Sequence, residues 1–530
     1  MAGTFSHRFF SEWLTEYRIS RSLLVRGLGL IYLIAILSWW SQAILLVGEN
    51  GLVPAADFLE VVDSNLTAQG KSSFAALPNL FWITGASDIA IHMLCLIGCV
   101  FATLVILGFL QGPALFGLWA IYLTFVHTGN AFMSFQWDML LLEAGFLALF
   151  VSPWKFRTSW RNPESLSLVN RVGIFGFWFL IAKLMFFSGW VKLAWATDAN
   201  PEWWGEDTAM TFHYMTQPLP CWTAWWAHQL PVWFHKFSLW PMYAFEIGFP
   251  FLILFGKRAR LIAAIGMAGL MFLILLTGNY TFFNWLTILL CVPLIPDRFW
   301  PTGIFKSWFK VELPKQKPKK APEKSGIPLR ILFASPLILL LLVALLNVQV
   351  VLNDLHRAPI PLLKKALSPI WLDKLAGSLS PYRTVGGYGL FRTMTTERPE
   401  IIVEGSRDGI TWRVYDFKWK PDKLDERPRF VAPHQPRVAW QLWFAALEKQ
   451  FHPQSRNAAW FQSLVLKLLD GDDSVNALFR DNPFPDKPPK FIRARLFNYE
   501  FTDRKSRKRT GDWWKRKAAG EFLPKVWKNP

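Results

Sequence analysis

Over roughly the first 350 residues the apolar positions neither alternate with polar ones nor recur on one helical face; they come in long runs separated by short polar stretches. A helix that crosses about 30 Å of hydrocarbon needs about 20 residues, and nine runs meet or approach that length. They are 22–47 (SLLVRGLGLIYLIAILSWWSQAILLV), 87–110, 113–132, the segment from Asn130 to Val151, 173–191, 238–255, 260–276, 280–295 and 328–352. The pattern predicts an α-helical multipass membrane bundle of about nine spans, the fourth and eighth being the shortest.

Composition agrees with that reading. The chain of 530 residues is 52% hydrophobic and 16% aromatic, with 30 Trp and a mean hydropathy of +0.23, a combination that soluble domains rarely reach. The net charge of +19 is informative chiefly through its distribution, because Lys and Arg collect in short cytoplasmic loops. Arg8, Arg18, Arg21 and Arg26 surround the first span, Lys155, Arg157, Arg161 and Arg171 follow the fourth, and Lys257, Arg258 and Arg260 follow the sixth. Residues 48–86 offer only Lys71 among four acids, and 192–237 only Lys192 and Lys236. Nine spans with a cytoplasmic N-terminus satisfy every short loop and leave the C-terminal part outside, in a periplasm or an ER lumen. The first run is too long for a signal-peptide core and has no small-residue cleavage site.

The expected organisation is therefore a helical core over 1–304, a basic cytoplasmic linker over 305–327, a last span over 328–352, and an extracytoplasmic domain over 353–530. In that domain two β-rich runs flank Asp408-Gly409, as in a hairpin. Residues 437–451 and 457–471 have helical spacing, the second stopped by Gly471, and 490–503 alternate like a strand. A soluble α+β or β-sandwich-like domain follows. Its basic tail, RKSRKRTGDWWKRK (504–517), suits a membrane surface or an acidic partner; nucleic acid is not expected for an exterior domain. The four cysteines, Cys95, Cys99, Cys221 and Cys291, form no C-x-x-C pair, so neither a disulfide framework nor a metal site is expected.

Ionisable groups inside spans cost about 2.5–3.5 kcal/mol each on insertion scales, so each needs a partner or a function. They are Asp138, Glu143, Lys183, Lys192 and Glu246. Asp138 and Glu143 lie five residues apart, about 140° around a helix, which excludes one shared narrow face and hence a carboxylate dyad. Lys183, in mid-span, is expected to pair with Glu143 or Glu246. Lys192 and Asp138 both fall near the outer end and form the candidate reactive group. The outer loop holds Trp203, Trp204, His213, Tyr214, Trp222, Trp225, Trp226 and His228, amphipathic rings suited to a partner surface or a headgroup belt.

Several long strings resemble the lipase maturation factor family: FQWDMLLLEAGFLALFVSPW (135–154), WWGEDTAMTFHYMTQPLPCWTAWWAHQLP (203–231), TGNYTFFNWLTILLCVPLIPD (277–297) and YGLFRTMTTERPEIIVEGSRDGITWRVYDFKWKPDKLDERPRFVAPHQPRVAWQLWFAAL (388–447). The resemblance implies a multipass protein that helps exported lipases reach their active form, with a lumenal C-terminal portion. FFSGWVKLAW (186–195) is in turn similar to a Gly-x-x-Lys-Leu stretch of vitamin K-dependent carboxylases, through Gly189, Lys192 and Leu193. That likeness implies Lys192 as a base and Asn284 as a site residue. It also departs from those enzymes, with Thr281 at their histidine and Trp137-Asp138 at their Asn-His pair. Two expectations result. The first is a maturation factor whose partners are the lipid bilayer and an exported client such as a lipase, without a cofactor. The second is a membrane enzyme of carboxylase-like ancestry in which Lys192, Asp138 and Asn284 share one cavity with a lipid-like ligand.

Overall fold

The computed structural model describes residues 17–159, 163–194, 206–300, 327–356, 370–391 and 394–528. Trp203, Trp204 and most of the basic linker lie outside the described residues. The N-terminal part is helical: α1 (Arg18–Val47), α2 (Ala55–Ala68), α3 (Asp88–Leu107), α4 (Gln111–Thr128), α5 (Gln136–Val151), α6 (Leu168–Ala194), α7 (Ala209–Thr216), α8 (Trp222–His228), α9 (Val232–Tyr243), α10 (Lys257–Thr277), α11 (Phe283–Cys291) and α12 (Ile327–His356). Among the described helices, Arg18–Val47, Asp88–Leu107, Leu168–Leu193 and Lys257–Thr277 are long and apolar enough to cross a membrane. The expected count of about nine is thus larger than the four that length and composition support.

Local signals explain the helix ends. The Ser87 side chain accepts from the Ala90 N–H at the start of α3, Asp88 sits in its first turn, and Gly108 ends it at φ +90°, a conformation that costs glycine little. Small residues set the packing of the bundle. A Cβ on Gly29 would meet the Ala102 backbone and the Val105 side chain of α3, and one on Gly145 would strike the Tyr32 hydroxyl, which donates to the Leu141 carbonyl at 3.1 Å. Close backbone approach of this kind is the usual basis of helix association in lipid. Past α9, with Pro241 inside it, the helix continues as a π-helical turn over Ala244–Gly248, and that turn carries Glu246.

The C-terminal part contains one four-stranded antiparallel sheet in the order β2-β1-β3-β4, built from β1 (Arg398–Ser406), β2 (Arg413–Val414), β3 (Phe491–Phe501) and β4 (Trp514–Trp527). This is the α+β form of the expectation; among the described residues there is no second sheet to make a sandwich. β1 and β3 pair from Arg398 with Tyr499 to Ser406 with Phe491, and all of β1 is buried. Two further helices, α13 (Arg437–Ala446) and α14 (Ala458–Asp470), bring Trp440, Trp460 and Phe461 into the core. The basic tail is a short helix, α15 (Arg504–Thr510), followed by β4, whose charged and exposed residues conceal the strand from a reading of alternation. One hydrophobic core runs from Tyr17 and Leu24 of the bundle to Ile492 and Phe522 of the sheet region, so the two parts pack on each other.

Candidate functional site

The buried charges anchor that packing. At the first turn of α5, Asp138 accepts from the Tyr122 hydroxyl at 2.6 Å and from the Phe135 backbone N–H at 3.4 Å. The Arg437 guanidinium, on α13 of the C-terminal part, lies 3.9 Å from it. Arg437 also donates to the Phe132 carbonyl and sits 5.1 Å over the Trp39 ring, and its backbone N–H donates to Gln42 on α1 at 2.9 Å. Trp137 stacks on Phe135, meets Trp440 edge-on, and donates to Gln435 at 3.2 Å. One turn deeper, Glu143 accepts from Lys183 at 2.7 Å, from the Tyr388 hydroxyl at 2.6 Å and from the Gly386 N–H at 2.9 Å. Lys183 also donates to Asn347 of α12 at 2.6 Å. Both carboxylates therefore touch the C-terminal part, on different residues, as the angle between them requires.

Other elements repeat the arrangement. Asn279, between α10 and α11, donates to the carbonyls of Leu219 and Arg429 and accepts from the N–H groups of Val431 and Ala432, all at 2.7–3.0 Å. Arg398, fully buried at the start of β1, donates to the carbonyls of Met215, Gln217 and Pro218 and pairs with Glu400 at 2.5 Å. Buried hydrogen bonds of this number between the two parts favour one docking geometry.

The aromatic loop is used up by the same packing. Tyr214 and Trp225 are buried, Trp225 lying against Trp513. Trp222 packs on Phe430 and under Arg427, and His228 against Phe501. Of the described members only Trp226 is exposed, and Arg504 lies over it at 5.4 Å. Over its described residues this loop contacts its own C-terminal part, with Trp226 left exposed.

Lys192 is held apart from Asp138. Its Nζ contacts both Glu246 oxygens, at 2.6 and 2.5 Å, a buried pair between α6 and the π-helical turn. The pair lines a cavity of about 340 Å³ together with Asn284, His213 and Tyr280; Asp138 is not among its lining residues. The structure thus joins Lys192 and Asn284 and separates Asp138, which faces Tyr122 and Arg437. Among the described residues no cluster of three metal-ligating side chains exists.

Sequence reasoning missed Arg437, Tyr388, Asn347, Gln435 and the Lys192–Glu246 pairing. The periodicity of 437–451 marks a helix but gives no sign that its first residue reaches α5. The partner of Lys192 sits on a π turn, whose extra residue shifts the angular register that a 3.6-residue count assumes.

Burial makes this interface acid-sensitive. His434 Nδ1 shares a hydrogen bond of 3.0 Å with the Ser38 hydroxyl, which accepts from the Gln435 N–H; desolvation, helped by Arg437, pushes the histidine pKa down to about 4. Desolvation likewise pushes His213 and His228 down to about 4. A histidine neutral in the folded form and charged in the unfolded one contributes stability above its unfolded pKa of about 6.5 and loses it as pH falls toward 4. Asp422, raised by desolvation to about 6, and Glu426, also raised by desolvation, work in the opposite sense, while desolvation lowers His235 along with the other three histidines. Thermal unfolding in detergent is expected to show a Tm that falls between pH 7 and pH 4.5, with a shallower slope in His434→Asn. An unchanged slope would remove His434 from the account.

Comparison with known proteins adds the following. The profile described as lipase maturation factor transmembrane domain matches residues 19–302, and that described as lipase maturation factor C-terminal domain matches 384–524. Lipase maturation factor 2 of Xenopus tropicalis is 32% identical, over 96% of this chain and 83% of the relative. The Homo sapiens protein of the same name is also 32% identical over the same shares, and lipase maturation factor 1 of Mus musculus is 31% identical over 97% of this chain and 87% of the relative. No solved structure matches.

Proposed function

Because this chain belongs to the lipase maturation factor family, and is a membrane protein by its family and its apolar helices, we propose that it matures exported proteins, lipases being the clients. The observation that carries this reading is the interface just described: buried pairs hold the C-terminal part in one orientation on the helical core. A rigidly presented exterior domain suits a factor that holds a folding client.

In this reading nine spans, an N-terminus on the cytoplasmic side, the linker over 305–327 and the last span over 328–352 put residues 353–530 outside, in an ER lumen or a periplasm. The distribution of charge supports it. Arg26, Lys155, Arg157 and Arg171 belong to the helix ends opposite those that meet the C-terminal part: Arg26 reaches Thr158, whereas Ser38 and Gln42, further along α1, reach Gln435. The client-facing surface is then the free side of β4, the edge strand of the sheet, where residues 515–521 are all exposed and include Lys515, Arg516 and Lys517. An unpaired edge accepts an extended segment, and these cations favour an acidic one.

Co-expression with a secreted lipase tests the reading. Lys515→Glu with Lys517→Glu is expected to lower the specific activity of secreted lipase several-fold while the maturation factor stays folded. Lys192→Met with Glu246→Leu, which replaces a buried ion pair by apolar groups and often leaves stability little changed, is expected to leave lipase activity near normal. The reverse pattern would favour the membrane-enzyme alternative.

A further inference from the structure

The cavity beside Lys192 is closed on one side by the C-terminal region, whose Leu390 and Phe391 line it, Phe391 packing on His213 and Tyr280. Its wall is mostly hydrocarbon, from Leu184 and Met185 of α6, Met271 and Ile274 of α10, and Phe283 of α11. At its rim stand Leu230, Leu273 and Leu276, which also line it and are 37%, 58% and 41% exposed. Leu273 and Leu276 belong to α10, one of the four helices apolar enough to cross a membrane, so the opening lies on a face bathed by acyl chains and an occupant enters from the lipid.

The volume sets the size of that occupant. A dry apolar cavity of about 150 Å³ accepts benzene, and small-molecule pockets begin at about 300 Å³. At about 340 Å³ there is room inside for one hydrocarbon chain and a small head.

The polar groups set the chemistry. Lys192 and Glu246 neutralise each other, with both carboxylate oxygens engaged, so a charged head would bring an uncompensated charge into an apolar site. Asn284 is 1% exposed and lines the cavity. Its Nδ2 donates to the Met271 carbonyl at 2.9 Å, which fixes the orientation of the amide. Its Oδ1 is buried and accepts no hydrogen bond among the described residues. An orphaned buried acceptor is destabilising, and a ligand hydroxyl would satisfy it. Tyr280 and His213, 3.4 Å apart across the same wall, can accept or donate to a second hydroxyl.

We propose that this cavity is a binding site for a neutral single-chain lipid bearing a hydroxyl head, of the monoacylglycerol or fatty-alcohol class, with the hydroxyl on Asn284 Oδ1 and the chain between α6 and α10. It deepens the expectation of a lipid-like ligand and does not depend on the identity of the client.

Full-length protein in nanodiscs, photolabelled with a monomyristoylglycerol that carries a diazirine in its chain, provides the test. Label is expected on peptides containing Met185 and Met271, displaced by unlabelled monomyristoylglycerol and about tenfold less well by myristate or by the di-O-methyl ether, which lacks the donor. That ratio corresponds to one lost buried hydrogen bond. Leu273→Trp, at the rim, is expected to abolish labelling, and Asn284→Leu to weaken it about tenfold. Label spread evenly over lipid-facing helices, or unaffected by Leu273→Trp, overturns the site. Equal competition by the ether on the unaltered protein overturns the hydroxyl assignment, whether or not Asn284→Leu folds.

Discussion

Glu143→Ala is expected to lose about 3–5 kcal/mol of stability, the usual consequence of leaving one member of a buried ion pair alone, and to remove most monodisperse protein from a detergent extract. Both Glu143 and Lys183 are 1% exposed at the side chain. Removing the acid strips Lys183 of its carboxylate and also takes the acceptor from the Tyr388 hydroxyl and the Gly386 N–H. Lys183→Met is expected to cost less, since Glu143 keeps those two donors. Glu143→Leu combined with Lys183→Met should recover part of the loss, because the charge is gone from both sides, but not all, because Tyr388 remains unsatisfied. Fluorescence-detected size exclusion and a thermal ramp on the three variants give the ordering. If Glu143→Ala proved as stable as the double variant, the pair would carry no structural role.

The part of this architecture that was legible in the sequence is the part written in runs. Long apolar stretches mark the helices because lipid and core both demand them, and Asp408-Gly409 marks a hairpin turn because Gly409 has to adopt φ +77°. The same strings that spell α5 carried the family resemblance. What could not be read were contacts between positions far apart in the chain. Asp138 and Arg437 are separated by 299 residues and Asn279 and Val431 by 152, and nothing local in either member names the other. Charged residues hid the strand β4, and aromatic density in 203–231 suggested a partner surface or a headgroup belt. An aromatic loop is equally suited to a foreign partner or to its own C-terminal domain, since both bury the same rings.

Arg437→Leu is the variant that most directly separates the helical core from the domain it carries. The guanidinium joins Phe132 and Asp138 of the core at the start of α13 and covers Trp39, so its loss takes the cation from beside the fully buried Asp138 carboxyl and frees the Phe132 carbonyl. A cost of about 3–5 kcal/mol is expected at the interface. It falls on docking more than on the membrane helices, because Tyr122 still holds Asp138 from within the core. The variant should insert and be extracted, yet limited proteolysis should cut between the core and the C-terminal part at a protease concentration that leaves the unaltered protein intact, and secreted lipase activity should fall with it. Asp138→Asn keeps the hydrogen bond from Tyr122 while removing the charge, and is expected to cost less alone and to soften the effect of Arg437→Leu in the double variant, a coupling that a double-mutant cycle measures. Additive effects would mean that Arg437 acts through Phe132 and Trp39 alone. Loss of lipase activity without any gain in protease sensitivity would separate maturation from rigid docking.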